Sequence, residues 1–183
     1  MTFKPRHDPT HLYFVTATLL KWQPLFTQPT YAGIILNSLD WHRRNNRWLL
    51  FAYVVMPTHL HILIKPLRIY TISNVLESFG SFTAHAILKQ LRTEHRSDLL
   101  EMFNQRQDGD RSKAHQIWQP LQAKNVFSEP FLREKLEYIH NNPVAKHWAL
   151  AETRADYGYS SACFYDRGII PEIEIDNVWA EPE

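Results

Sequence analysis

The stretch Arg47–Lys65, RWLLFAYVVMPTHLHILIK, decides how the rest of the chain must be arranged. Its first half, Arg47–Met56, is almost continuously apolar and rich in Val, Phe and Tyr, the pattern of a central strand buried on both faces. Pro57-Thr58 breaks the run, and His59–Lys65 forms a second strand that Pro66 ends. Two strands joined this tightly can pair only as an antiparallel hairpin. Side chains alternate along a strand, so His59 and His61 share one face while Leu60 turns to the other.

Outward from the hairpin, His11–Leu20 reads as a further strand, rich in β-branched and aromatic residues. Trp22–Pro29 carries two prolines and reads as a loop, and Tyr31–Asn45 has Ile34, Ile35 and Leu39 at helical spacing. Downstream of the hairpin, Ile72, Val75, Leu76, Phe79, Phe82, Ala86 and Ile87 trace one face of a strong helix, with Ser73 as its expected cap. Ser97-Asp98 restarts a helix that runs to about Gln105, and Asp108-Gly109-Asp110 is a loop. Gln116–Phe127 is a weaker extended stretch interrupted by Pro120. Ser128 caps a last helix with Pro130 in its first turn, Leu132, Leu136 and Ile139 as its buried stripe, and Pro143 as its stop.

The order β-α-β-β-α-β predicts an α+β fold, a ferredoxin-like antiparallel sheet with helices over one face, followed by a C-terminal tyrosine-bearing helix and an irregular tail. Residues 1–167 are expected to form one domain, and 168–183 an acidic C-terminal tail; Val144–Glu183 offers only aromatic anchors such as Trp148, Tyr157, Tyr159, Phe164 and Trp179.

The chain of 183 residues, 44% hydrophobic and 21% charged, is long enough and apolar enough to bury a core without disulfides. Its single cysteine, Cys163, excludes an internal disulfide. Met1–Pro9 has no apolar leader pattern and no stretch is long enough to span a bilayer, so a cytoplasmic protein with no membrane partner is expected. The net charge of +1 does not by itself point to nucleic acid, although Arg43–Arg47 and Lys89–Arg96 are basic and Glu172–Glu183 is acidic.

Two constellations carry chemistry. His59 and His61, side by side at the mouth of the hydrophobic hairpin, present imidazoles that suit a divalent metal; two ordinary surface histidines would give the same pattern. Tyr138 and Asn142 stand one helical turn apart on one face, and Pro143 ends the helix directly behind Asn142. A boundary core tyrosine and a plain helix terminus would leave the same trace.

The segments VVMPTHLHILIKP (Val54–Pro66) and LEYIHNNPVAKHW (Leu136–Trp148) together resemble the single-tyrosine HUH transposase family, in particular its REP-associated tyrosine transposase branch. The resemblance takes in YFVTATL (Tyr13–Leu19), WQP (Trp118–Pro120) and YSS (Tyr159–Ser161), and so covers roughly residues 10 to 165. It implies that His59 and His61 bind a metal, that Tyr138 is the nucleophile, and that Asn142 is a third metal ligand, with Asn141 or His140 as alternatives. It implies Mg2+ or Mn2+, where imidazole ligands alone would suit zinc or manganese.

The activity implied is cleavage and joining of single-stranded DNA through a 5′-phosphotyrosine link, on hairpin-forming DNA. Single strands are gripped by basic grooves and stacked on aromatic rings, for which Arg43, Arg44, Arg47, Trp22 and Trp118 are candidates. Relatives complete the site either within one chain or across a homodimer, and both arrangements remain open. So do a catalytically silent DNA-binding protein of the same fold and an unrelated metal hydrolase built on the HxH pair. The latter would need further carboxylate ligands, of which Asp40, Asp98 and Asp108 show no obvious convergence on the hairpin.

Overall fold

A computed structural model describes residues 11–67, 69–104 and 115–180. The expected loop at Asp108-Gly109-Asp110 and the polar start Met1–Pro9 lie outside the described residues. In chain order the elements are β1 (Leu12–Thr18), α1 (Pro29–Arg44), β2 (Trp48–Met56), β3 (His59–Pro66), α2 (Ile72–Thr93), α3 (Ser97–Met102), β4 (Gln122–Val126), α4 (Glu129–Asn141) and α5 (Ala162–Arg167). Short 3₁₀ turns occupy Leu20–Trp22, Leu25–Thr27, Asn142–Val144 and Arg154–Asp156. Among the described residues, no helix is long and apolar enough to cross a membrane.

The strands form one antiparallel sheet in the order β2-β3-β1-β4. Met56 pairs with His59, so the Pro57-Thr58 turn closes the hairpin directly. β3 then pairs with β1, setting His59 opposite Thr18 and His61 opposite Thr16. This is the ferredoxin-like sheet that the order of elements predicts. A register shift between Leu50 and Ala52 puts the consecutive residues Phe51 and Ala52 into the same apolar cluster, the signature of a bulge.

The sheet is apolar on both faces. On one, Val15, Leu60 and Ile62 meet Ile35 and Leu39 of α1 and Phe79 and Ile87 of α2. On the other, Phe14, Val54 and Leu63 meet Leu132, Leu136 and Ile139 of α4. Helices were expected over one face only. The last helix covers part of the second because its apolar stripe, capped by the Ser128 side chain on the Phe131 N–H, would otherwise face water. Burying each such aliphatic side chain is worth about 1.5–3 kcal/mol, enough for three of them to fix the helix in place.

Local corrections follow from packing. The cap of α2 is Thr71, not Ser73: the Asn74 N–H donates to the Thr71 hydroxyl, and the Asn74 side chain accepts from the Thr71 N–H. Phe82 is 58% exposed, and Thr83 is buried instead, because neighbouring helical positions are about 100° apart and residue 82 falls off the stripe. The C-terminal stretch, expected to be irregular, contains α5 and covers the free edge of β2. The Val55 N–H donates to the Tyr159 carbonyl and the Ser161 N–H to that of Tyr53, at 2.8 and 3.0 Å. The Leu50 N–H donates to the Asp176 carboxylate, and Ile173 and Ile175 are buried in the core. A strand edge sealed in this way cannot recruit another chain.

Candidate active site

The part of this second face that α4 leaves uncovered is where the polar strand residues collect. Alternation puts Phe14, Thr16 and Thr18 of β1, His59 and His61 of β3, and Gln122 and Lys124 of β4 on that side. Alongside stand Lys135, Tyr138 and Asn142, which recur at helical spacing on one flank of α4 while Leu132, Leu136 and Ile139 grip the sheet. These residues, with Trp22, His147 and Trp148, line a cleft of about 510 Å³.

The two imidazoles lie with ring centroids 4.9 Å apart and are nearly buried. Each is held at Nδ1 by a threonine: His59 by Thr58 Oγ1 at 3.0 Å, and His61 by Thr16 Oγ1 at 2.9 Å. In the tautomer that donates Nδ1–H to the hydroxyl, each ring keeps its Nε2 lone pair. The Nε2 of His61 is buried and has no hydrogen-bond partner, and a buried polar atom of that kind calls for an explanation. Burial pushes the His59 imidazole down to about 4. Burial, then the neighbouring His59 and Lys135, push His61 down to about 3. Both rings are therefore neutral at pH 7, the form that ligates a metal.

Tyr138 is half exposed and meets His61 edge-on, with ring centroids 5.1 Å apart. Phe14 stacks on His61 at 5.3 Å and also touches Tyr138 edge-on at 5.8 Å, so one aromatic ring supports both. Asn142 sits at the end of α4, its amide nitrogen 3.5 Å from the Tyr138 carbonyl, and it lines the cleft. The two alternatives are engaged elsewhere. His140 is buried against the Ser161 hydroxyl, and the Asn141 amide donates to Glu137.

The donor set fits a divalent cation with open positions: two neutral imidazoles, that of His61 with an orphaned Nε2, and a carboxamide within the same cleft. Among the described residues, no group of three or more His, Cys, Asp and Glu could hold a metal. Asp40 is paired with Arg44, and Asp98 with Arg96, so neither supplies the carboxylate that an HxH hydrolase would need; Asp108 lies outside the described residues.

Of the DNA-contact candidates, only Trp22 reaches the cleft, 58% exposed and edge-on to His59 at 5.9 Å. Trp118 is buried, its indole N–H donating to Thr83 on the far side of the sheet. Arg43 is clamped by Asp176 and Glu174, Arg44 by Asp40, and Arg47 lies over the rings of Tyr70 and Trp41. None of these arginines lines the cleft, because the end of α1 belongs to the opposite layer. Sequence reasoning passed over Lys135, Lys124, Gln122 and His147, and read Trp148 only as an aromatic anchor, although all five line the cleft. For Lys124 the signal was alternation with Gln122, and for Lys135 its place one turn before Tyr138.

The chain has the fold of a tyrosine transposase. The likeness is to the structure of a REP-associated tyrosine transposase bound to a REP hairpin: TM-score 0.64 and 19% identity, over 99% of this chain and 94% of the other. A chain from Deinococcus radiodurans R1 described as a candidate transposase matches at a TM-score of 0.44 and 17% identity, over 77% of this chain and 97% of its own, too distantly to bear on the fold. Neither a scan against models of protein families nor a search of curated proteins finds a match.

Proposed function

We propose that the protein is a metal-dependent endonuclease and strand transferase for single-stranded DNA. It would act through a 5′-phosphotyrosine intermediate on hairpin-forming DNA, as in transposition. The observation that carries this reading is the approach of the Tyr138 ring to His61, at 5.1 Å, on a cleft wide enough for a phosphodiester. The solved neighbour of the same fold is bound to a REP hairpin, which favours folded-back DNA as the substrate class.

His59, His61 and Asn142 would hold the cation, Mg2+ or Mn2+. When bound, the ion supplies positive charge that polarises the phosphate and eases departure of the 3′ oxygen. The chain's own groups do the rest. Thr16 and Thr58 fix the imidazoles, and the stripe of α4 sets the phenol beside them. The Tyr138 oxygen attacks phosphorus and the P–O3′ bond breaks. The phenol proton passes to solvent and the 3′ oxygen takes one up. The phosphotyrosine conserves the energy of the diester, so a second 3′-OH can reverse the step and join a new end without ATP. That His59, His61, Tyr138 and Asn142 of one chain line one cleft supports action in cis, which a monomer can perform and which does not require a homodimer.

Incubation with hairpin DNA bearing a single-stranded flank, in the presence of Mn2+, tests this. A protein–DNA adduct that survives denaturation is expected. Retained binding with no adduct would instead identify a silent DNA-binding protein of the same fold.

A further inference from the structure

Lys135 is the one charged group on the cleft flank of α4, and its placement is not that of a solvated surface lysine. Its side chain is only 15% exposed. The ammonium nitrogen lies 4.8 Å from the ring centre of Phe131, 5.3 Å from that of Phe14 and 5.7 Å from that of Tyr138. Its ion-pair partner is the adjacent Glu134, whose carboxylate is 63% exposed and open to water, so that end of the pair does not hold the ammonium inward. A lysine normally lets its head reach water, yet this one is drawn in over the rings that support the phenol.

The cleft it faces has an unusual charge balance. Lys135 and Lys124 both line it, and no aspartate or glutamate does among the described residues. Lys124 is the register partner of Phe14 across β1 and β4, so the two lysines flank the same ring. The net charge of the chain conceals this local excess, since it sums over residues far from the cleft, such as Glu174 and Asp176, which pair with Arg43.

We infer that Lys135 is an anion anchor: its ammonium group donates hydrogen bonds to a non-bridging oxygen of the phosphodiester presented to Tyr138. It holds that group in the space shared with His61. This rests on the reading of Tyr138 as nucleophile. The lysine exchanges no proton with the reacting atoms. Lys124, further out on β4, takes a neighbouring phosphate of the strand.

The test has two arms. In the first, Tyr138→Phe protein without metal binds a fluorescein-labelled DNA hairpin with a single-stranded extension, and affinity is followed against KCl concentration. Adding Lys135→Met, which keeps the length of the side chain over Phe14 and Phe131, is expected to lower the log–log salt slope by about 0.7, one phosphate contact on a single strand. In the second, with Tyr138 intact and Mn2+ present, Lys135→Met is expected to slow adduct formation roughly 100-fold, and Lys135→Arg to recover most of the rate.

An unchanged slope overturns the anchor, whether the rate holds or falls, since a fall alone would mark a structural role. A reduced slope with an unchanged adduct rate overturns its place at the reacting phosphate. If wild-type protein forms no adduct while the slope still falls with Lys135→Met, the nucleophile reading fails and phosphate binding by Lys135 stands.

Discussion

Tyr138 and His61 face each other edge-on across 5.1 Å within a single chain, one from a helix and the other from the strand beneath it. Neither residue fixes that distance alone. Leu132, Leu136 and Ile139 clamp α4 to the sheet, while the Thr16 hydroxyl holds the imidazole from the neighbouring strand. The relationship brings the proposed nucleophile and one of the proposed metal ligands to one cleft.

Thr16→Val removes the group that orients His61 and leaves the ring in place. Loss of such a supporting hydrogen bond typically costs about 10- to 100-fold in metal affinity. Titrating Mn2+ into the adduct assay is expected to show the half-saturating concentration rising by that factor, with the rate at saturating Mn2+ largely retained.

Trp22 and Trp118 are expected to separate cleanly. Trp22 is exposed beside His59, and one stacked base is worth about 1–3 kcal/mol. Trp22→Ala should therefore weaken single-stranded DNA binding by roughly 5- to 150-fold, read by fluorescence anisotropy, with thermal stability unchanged. Trp118 is buried and hydrogen-bonded to Thr83, so Trp118→Ala should cost about 3–5 kcal/mol of folding stability. Unfolding in urea measures it.

Arg43 is expected to act on the fold and not on DNA. It holds Asp176, which also accepts the Leu50 N–H at the sealed edge of β2. Arg43→Ala should destabilise the protein by about 2 kcal/mol and leave the salt dependence of DNA binding as it was, measured by urea unfolding and by anisotropy against KCl.

Stability should fall in mild acid. Burial lowers the His42 imidazole, stacked on Trp48, and burial together with the nearby Arg154, partly offset by Asp166 and Glu137, holds His140 down at about 4. The unfolded chain takes up these protons near pH 6.5, and the native state refuses them until lower pH. Stability is thus full above about pH 6.5 and declines as pH falls toward 4, by on the order of 3 kcal/mol for His140 alone. Urea midpoints measured from pH 7.5 to pH 4.5 check the sign; a flat profile would show that the buried rings are not excluded from protonation.

Much of the frame was legible because its signals are local. The period of two in HLHILIK fixes which face the histidines share, and Ser128 with Pro130 marks the start of the tyrosine helix within a residue. What was not legible depends on partners far along the chain. The carboxylate of Asp176 claims Arg43 across 133 residues, and Trp118 is buried through a bridge to Leu19 and a bond to Thr83. Lys135 looks like any helical lysine until the stripe of α4 is docked and its flank is seen to face the cleft. Trp148 reads only as an aromatic anchor in an irregular segment, yet it comes within 5.9 Å of His59.

The most direct measurement is the identity of the residue that carries DNA after the reaction. Digestion of the adduct with trypsin and a nuclease should yield the peptide Leu136–Lys146, LEYIHNNPVAK, bearing a nucleotide on Tyr138, its single tyrosine. A nucleotide found on any other peptide, or an adduct that persists in Tyr138→Phe protein, would contradict the account.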